Sequence, residues 1–175
     1  RILNAMFFGV PQSRERMIFI GVRDDLGVEP SHPEGWCEPI VPRNAFAALA
    51  ESESRPLAKW LHAAAQDMDP GNYSGSSTAV AFLKHKGTTG SASSTKLLSW
   101  DRVSCTIIKQ EIAASGVIHP DRGRYLSVGE LKRIGSFPDA FSFTSRKDAV
   151  ERIGNSVPPL LMRSISAHVA KLVAQ

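Results

Sequence analysis

The sequence predicts an α/β fold, and three observations carry that prediction. The run Met17 to Val22 is almost wholly apolar and rich in Ile, Phe and Val, the composition of a strand buried on both faces of a sheet. Leu126-Ser127-Val128-Gly129-Glu130-Leu131 is a marked helix start: Ser127 and Glu130 have capping-box spacing, and Leu126 and Leu131 have that of a hydrophobic staple. Near the end of the chain, Leu161, Ile165, Val169 and Leu172 or Val173 give one helix an apolar face to lay on a sheet. With 175 residues, 42% hydrophobic and 22% charged, the chain has enough apolar side chain to bury one core.

In order, Arg1 to Arg23 reads as strand, turn, strand, with Gly9 and Pro11 breaking the chain before the apolar run. Gln12, Arg14 and Arg16 alternate, so in extended chain they point to one side and project together from the sheet edge. One amide and two guanidinium forks suit an anionic or planar, hydrogen-bonding ligand; the competing reading is a solvated strand end. Pro30, Pro33, Pro39 and Pro42 mark a connecting loop that holds Cys37. Pro42 to Ala50 starts a helix with Phe46 and Leu49 on one side. A second helix is expected from Pro56 to Met68, with Ser54 as cap, Leu57, Trp60, Leu61, Ala64 and Met68 on the core face, and His62 facing away. From Asp69 to Ser99 the chain turns to Gly, Ser, Thr and Asn around an apolar island, Ala79 to Leu83, and residues 84–90 predict a hairpin or mobile loop. Trp100 to Ile108 predicts a strand containing a buried, inert Cys105. The helix from Leu126 should stop near Gly135, ahead of Pro138. Glu151 to Pro159 predicts a tight loop feeding the last helix, with Ser156 as its cap and free N–H groups that can seat a polar ligand.

No apolar run is long enough to span a membrane, and no secretory signal opens the chain. Cys37 and Cys105 are too few for a disulfide framework and lack zinc-ligand spacing, so no metal is expected and the chain reads as cytoplasmic. The net charge of +4 is unevenly spread: +3 over residues 1–23, −6 over 24–69, +2 over 70–95, +3 over 96–133, −1 over 134–145 and +3 over 146–175. A polyanion would be met by the positive segments, and none of residues 70–100 is acidic.

Leu3-Asn4-Ala5 followed by Gly9-Val10-Pro11-Gln12-Ser13-Arg14-Glu15-Arg16 resembles motif VIII of the DNA cytosine-5 methyltransferases. Arg124-Tyr125-Leu126-Ser127 through Glu130 to Phe137-Pro138-Asp139, with His119-Pro120 upstream, resembles motif IX, and Gly154-Asn155-Ser156-Val157-Pro158-Pro159 resembles motif X. Gly129 departs from the family, which commonly has Arg there, and this puts one contact of motif IX in doubt. The family's cysteine nucleophile lies between Pro and Gln and its N3-protonating glutamate in Glu-Asn-Val; this sequence has neither, nor the Gly-rich turn that binds S-adenosylmethionine.

The resemblance therefore implies the C-terminal portion of a Rossmann-like methyltransferase domain plus a small, mixed, β-containing target-recognition domain. Arg1 already lies inside expected structure, so a fragment is expected rather than a natural start. The implied division is 1–52 in the catalytic domain, 53–125 for target recognition, 126–152 as hinge and motif IX, and 153–175 returning to the catalytic domain. By resemblance, Arg16 holds a flipped cytosine through O2, and Arg14 supports the nucleophile or a nearby phosphate. Gln12 shapes the pocket and contacts DNA, and Asn155, Ser156 and Val157 wall the cofactor and base site. Asn72, Ser74, Lys84, Lys86, Thr88, Thr89 and Lys96 are the expected DNA contacts of the recognition region. The implied partners are double-stranded DNA and either the N-terminal half of the enzyme or a second copy of the chain; the implied cofactor is S-adenosylmethionine. A competing reading is a non-catalytic DNA-binding subunit of a split methyltransferase.

Overall fold

The structure is a computed structural model and describes residues 1–49, 54–109 and 116–174. The chain opens with β1 (Ile2–Asn4) antiparallel to β2 (Glu15–Met17), with Ile2 opposite Met17, Leu3 opposite Arg16 and Asn4 opposite Glu15. Between them Ala5–Phe8 forms a 3-10 turn that ends on Gly9. Gly9 adopts φ 78°, a left-handed conformation that suits a residue without Cβ.

The strand predicted over Met17–Val22 is shorter and less buried than its composition implies. Pairing stops at Met17, and beyond it Ile18 and Ile20 tuck inward while Met17 and Phe19 point out, Phe19 being 85% exposed. This is the period of a strand covered on one face only, because no second layer lies over it among the described residues.

After a loop, α1 (Pro42–Ala45) is a single turn, and Ala48 at φ 55° shows that the expected helix does not continue; its end at Ala50 lies outside the described residues. The helix predicted from Pro56 starts instead at Lys59. This is α2 (Lys59–Asp67), with Ala58 at its N-cap and no side-chain cap, so Ser54 does not serve as one. Residues 55–57 are used in pairing: Pro56 bridges Arg124, Leu57 N donates to Gly123 O, and Tyr125 N donates to Arg55 O.

The Gly/Ser/Thr stretch contains α3 (Ser76–Lys86), which replaces the predicted hairpin or loop through residues 84–86. Thr78, Ala81 and Phe82 recur at helical spacing and are buried, and Gly75 and Gly87, both left-handed, bracket the helix. Next come β3 (Thr95–Leu97) and β4 (Gly116–Ile118), paired in parallel. The strand predicted over Trp100–Ile108 is absent. The chain there is a turn and an extended segment with a single bridge from Ser104 to Gln12, since its edge meets the opening hairpin and no ladder.

The β3–β4 pair is a wall between two cores. Leu97, Ile118 and Tyr125 face a core built with Leu61, Ala64, Met68, Ala81 and Phe82, so α2 and α3 close one side. Their sequence neighbours Leu98, Val117 and Leu126 face the other side, packing with Cys105, Ile107, Leu131, Ile134 and Ile153. The alternation of extended chain therefore assigns successive residues to different cores.

The second core is covered by α4 (Val128–Ile134) and α5 (Arg146–Asn155). The capping box of α4 is formed as predicted: Ser127 Oγ accepts from Glu130 N at 3.2 Å, Glu130 Oε2 accepts from Ser127 N at 2.7 Å, and Gly135 ends the helix. A third core joins Leu3, Ala5, Phe8 and Val10 to Leu161 and Ile165 of α6 (Pro159–Val173). The apolar face of α6 is as predicted at Leu161, Ile165 and Leu172, but it covers the 3-10 turn and hairpin, and Val173 points outward.

The tight loop predicted over Glu151–Pro159 is mostly helix, with residues 151–155 forming the last turns of α5. Ser156 does not cap α6. Its hydroxyl donates to Ile153 O at 2.9 Å, closing α5, while Ser136 Oγ accepts from Leu160 N at 3.2 Å near the start of α6.

Candidate functional site

Gln12 and Arg14, each 1% exposed, do not project from the hairpin edge; they turn inward on the approach to β2, where Gln12 and both Nη atoms of Arg14 bond within the chain and Arg14 Nε is buried with no hydrogen-bond partner among the described residues. Gln12 Oε1 accepts from Ile107 N and from Arg14 Nη1, both at 3.4 Å, and its Nε2 donates to Ile134 O at 3.4 Å. An amide so engaged is not presented to DNA, which corrects that expectation for Gln12.

Besides Gln12, Arg14 binds three backbone carbonyls. Nη1 donates to Ile107 O at 3.0 Å, and Nη2 donates to Gly154 O at 2.7 Å and Ser156 O at 2.9 Å. Burial first, and the charge of Arg16 second, pull its pKa down to about 10, so it is still a cation at neutral pH. Those carbonyls are therefore held by a cation. Arg14, expected to support the nucleophile or a nearby phosphate, has both Nη atoms occupied within this chain.

Arg16 shares their side of the chain but lies partly exposed, and its Nη1 donates to Glu15 O at 2.6 Å. It is the guanidinium of the trio that remains accessible to an external ligand.

Asn155 is exposed and, with Ser156, lines a cavity of about 650 Å3 that also has Phe137, Phe141 and Phe143 on its wall. Val157, 38% exposed, is not among that cavity's lining residues. Asp148, Glu151 and Arg152 line it as well, so the cavity sets an amide and three aromatic rings beside two carboxylates and a guanidinium. Among the described residues no His, Cys, Asp and Glu group could hold a metal ion, and no helix is long and apolar enough to cross a membrane.

The expected DNA contacts separate into two groups at opposite ends of α3, about 15 Å apart for a helix of this length. At its start, Asn72 Oδ1 accepts from Ser74 Oγ at 2.7 Å, and Lys96 Nζ donates to Tyr73 O at 2.7 Å. At its end, Lys84 pairs with Asp67 at 2.8 Å, and Lys86 Nζ lies 4.7 Å from the centre of the Trp60 ring. Thr88 Oγ1 accepts from Gly90 N at 3.2 Å, and Thr89 is exposed. All three lysines thus have partners within the chain.

One cluster escaped the sequence reading. Glu130, whose backbone role was visible in the capping box, also takes both Nη atoms of Arg124 at 2.7 Å and faces His119 Nε2 at 3.4 Å. His119 is buried, stacked on Phe46 and edge-on to Trp100. Arg124 and Glu130 stood in the stretch resembling motif IX and His119 just upstream of it, and that was the available signal. Cys105 is buried as expected, and desolvation pushes its thiol up to about 12.

Residues 1–171 match the family described as C-5 cytosine-specific DNA methylase. The chain belongs to that family. Type II methyltransferase M.Eco47II of Escherichia coli is 30% identical over 99% of this chain and 45% of its own length. M1.HphI of Haemophilus parahaemolyticus is 32% identical over 98% of this chain and 47% of its own. The chain thus spans about half the length of these curated relatives. In fold it resembles a prophage-encoded putative DNA modification methyltransferase from E. coli, with a TM-score of 0.68 and 21% identity over all of this chain and 60% of that one. It also resembles the S. pombe Dnmt2 methyltransferase, with a TM-score of 0.57 and 16% identity over all of this chain and 57% of that one. The α/β methyltransferase architecture follows from these likenesses.

Proposed function

We propose that this chain is the C-terminal, target-recognising part of a DNA cytosine-5 methyltransferase. It takes part in methyl transfer from S-adenosylmethionine to C5 of cytosine in duplex DNA when segments bearing the Pro-Cys-Gln, Glu-Asn-Val and Gly-rich elements complete the site. The supporting observation is the buried Gln12–Arg14 network, which draws together the opening and closing motifs across 140 residues of sequence and leaves Arg16 and Asn155 accessible. In this reading Arg16 contacts the extruded base, and Asn155, Ser156 and Val157 form one wall of the cofactor and base site. The cofactor, when bound, supplies the methyl group.

Residues 1–52 and 153–175 belong to the catalytic body, 53–125 to target recognition and 126–152 to the hinge; the core between α2 and α3 supports a separate recognition unit. Incubation of the chain alone with labelled S-adenosylmethionine and duplex DNA should leave cytosine unlabelled. Adding an N-terminal half that carries the missing elements should produce label. Label from the chain alone, or none in the mixture, would refute the proposal.

We propose that sequence recognition lies in residues 71–98, a segment without acidic residues of its own, although Asp67 pairs with Lys84 at one end of α3 and Asp69 lies beside Asn72 at the other. Exchanging that segment for a relative's should change which cytosines are methylated. A change obtained instead by exchanging residues 24–69 would refute the placement.

A further inference from the structure

We infer that Arg14 is a positioning residue: it neither touches base nor phosphate, but fixes the turn that presents Asn155 and Val157 by capping the C-terminus of α5. The inference rests on the reading that this turn faces the cofactor.

A helix leaves its last carbonyls without intrahelical partners, and the aligned peptide dipoles make that end negative. Helix α5 ends at Asn155, and Gly154 O and Ser156 O are both taken by Arg14 Nη2, at 2.7 and 2.9 Å. The buried cation thus meets the negative end of a helix, and among the described residues no carboxylate is hydrogen-bonded to it. Planar guanidinium suits this task because one rigid fork reaches carbonyls in two directions, whereas an ammonium is a single point.

The other prong, Nη1, holds Ile107 O at 3.0 Å, and the approach of that segment depends on Gly154. A Cβ at residue 154 would lie 2.4 Å from both N and Cα of Lys109, so only glycine lets residues 108 and 109 cross the last turn of α5. Glycine at 154 and arginine at 14 are therefore two halves of one device. It ties the hairpin, the segment after β3 and the turn before α6. Ser156, whose hydroxyl closes α5 at Ile153 O, is held by its carbonyl as well.

The test uses hydrogen exchange on the 175-residue chain, with the amides of α2 and α3 as an internal control for folding. Arg14→Lys should speed amide exchange within residues 156–162, at Ser156, Leu160, Leu161 and Met162, by roughly tenfold, the loss expected for one charge-assisted hydrogen bond, while α2 and α3 keep their protection. Arg14→Ala should do the same, and added methylguanidinium should restore part of the protection. If Arg14→Ala loosens α2 and α3 too, Arg14→Lys decides. Unchanged exchange at 156–162 in Arg14→Lys overturns the inference.

In a protein completed by the catalytic segments, Arg14→Lys should raise the KM for S-adenosylmethionine with little change in kcat. A fall in kcat at unchanged KM would mean that the guanidinium acts on the base, which also overturns it. Asn155→Ala in the same assay separates the two readings. If it leaves the cofactor KM unchanged, the cofactor reading fails, while the exchange result still stands on its own.

Discussion

Arg14 and Arg16 sit two residues apart on one side of a strand and have opposite surroundings. Arg14 is enclosed by carbonyls, and Arg16 is open to an incoming ligand. A contact to an extruded base forms only after flipping, whereas most duplex affinity comes from phosphates. Arg16→Ala in a completed enzyme should therefore slow methyl transfer by the equivalent of about 1.5–3 kcal/mol and change duplex affinity little. Equal losses in both, measured by single-turnover rates and DNA titration, would make Arg16 a phosphate contact. His119 gives a second prediction at this scale. Its Nδ1 accepts from Asp121 N at 3.2 Å, which leaves the Nε2 proton facing Glu130. The charged and titratable groups around it are Glu130, Arg124 and Asp121; burial, the largest influence, sets its pKa below the ordinary 6.5. The unfolded chain then binds this proton more readily than the folded one, so acid costs stability as pH falls below 6.5 and the cost levels off below the folded value. Glu130 is shifted down as well: burial opposes ionisation, but the hydrogen bonds from Arg124 and Ser127 N, with the charges of His119 and Arg124, prevail. Its contribution is present above 4.5 and is lost as pH falls through its lower folded value. The melting temperature should drop on acidification below 6.5, and His119→Gln should shrink the part of the drop that lies above pH 5. An unchanged profile would assign that drop to other groups.

Among the elements, α4 was the most legible, because its capping box and staple are local and each residue's role follows from spacing. Ser127→Ala should cost about 1 kcal/mol in denaturant unfolding. Glu130→Ala should cost more, about 2–4 kcal/mol, since it also leaves Arg124 and His119 without their shared carboxylate; the figure is held below that of a fully buried pair because Arg124 is 32% exposed. Equal losses from the two substitutions would show that the cap alone matters. The same local reasoning failed for α3. Its buried positions Thr78, Ala81 and Phe82 include one strong hydrophobe, so Ser and Thr masked the helical period, and packing on α2 decided the outcome. It failed for the last turn of α5, which was read as part of a tight loop; Ile108 and Lys109 pass so close there that residue 154 has no room for a Cβ, an approach that no local pattern records. Gln12 and Arg14 were found as candidates by pattern, but their partners at Ile107, Ile134, Gly154 and Ser156 are about 90 to 140 residues away, and only the folded chain reveals that they face inward.

At the scale of the molecule, the described residues form three small cores, and in the third Leu3, Ala5, Phe8 and Val10 pack with α6, while large apolar side chains on the other side of the hairpin stay exposed. Ile2 and Met17 are cross-strand partners and are 58% and 62% exposed, and Phe19, Phe7 and Trp36 are open as well. Burying one such side chain fully contributes about 1.5–3 kcal/mol, so covering several of them can outweigh the entropy lost when two chains associate. The strand edge adds unpaired backbone groups that can template a further strand. The chain by itself should therefore associate in a concentration-dependent way. Sedimentation velocity over a hundredfold range of concentration should show a rising weight-average coefficient, and the double substitution Met17→Ser with Phe19→Ser should reduce the rise without altering the melting of α2 and α3. Both side chains already face solvent, so replacing them removes association energy while leaving the interior packing as it is. A single concentration-independent monomer peak for the unmodified chain would show that this face is tolerated in water, and the expected association would then be wrong.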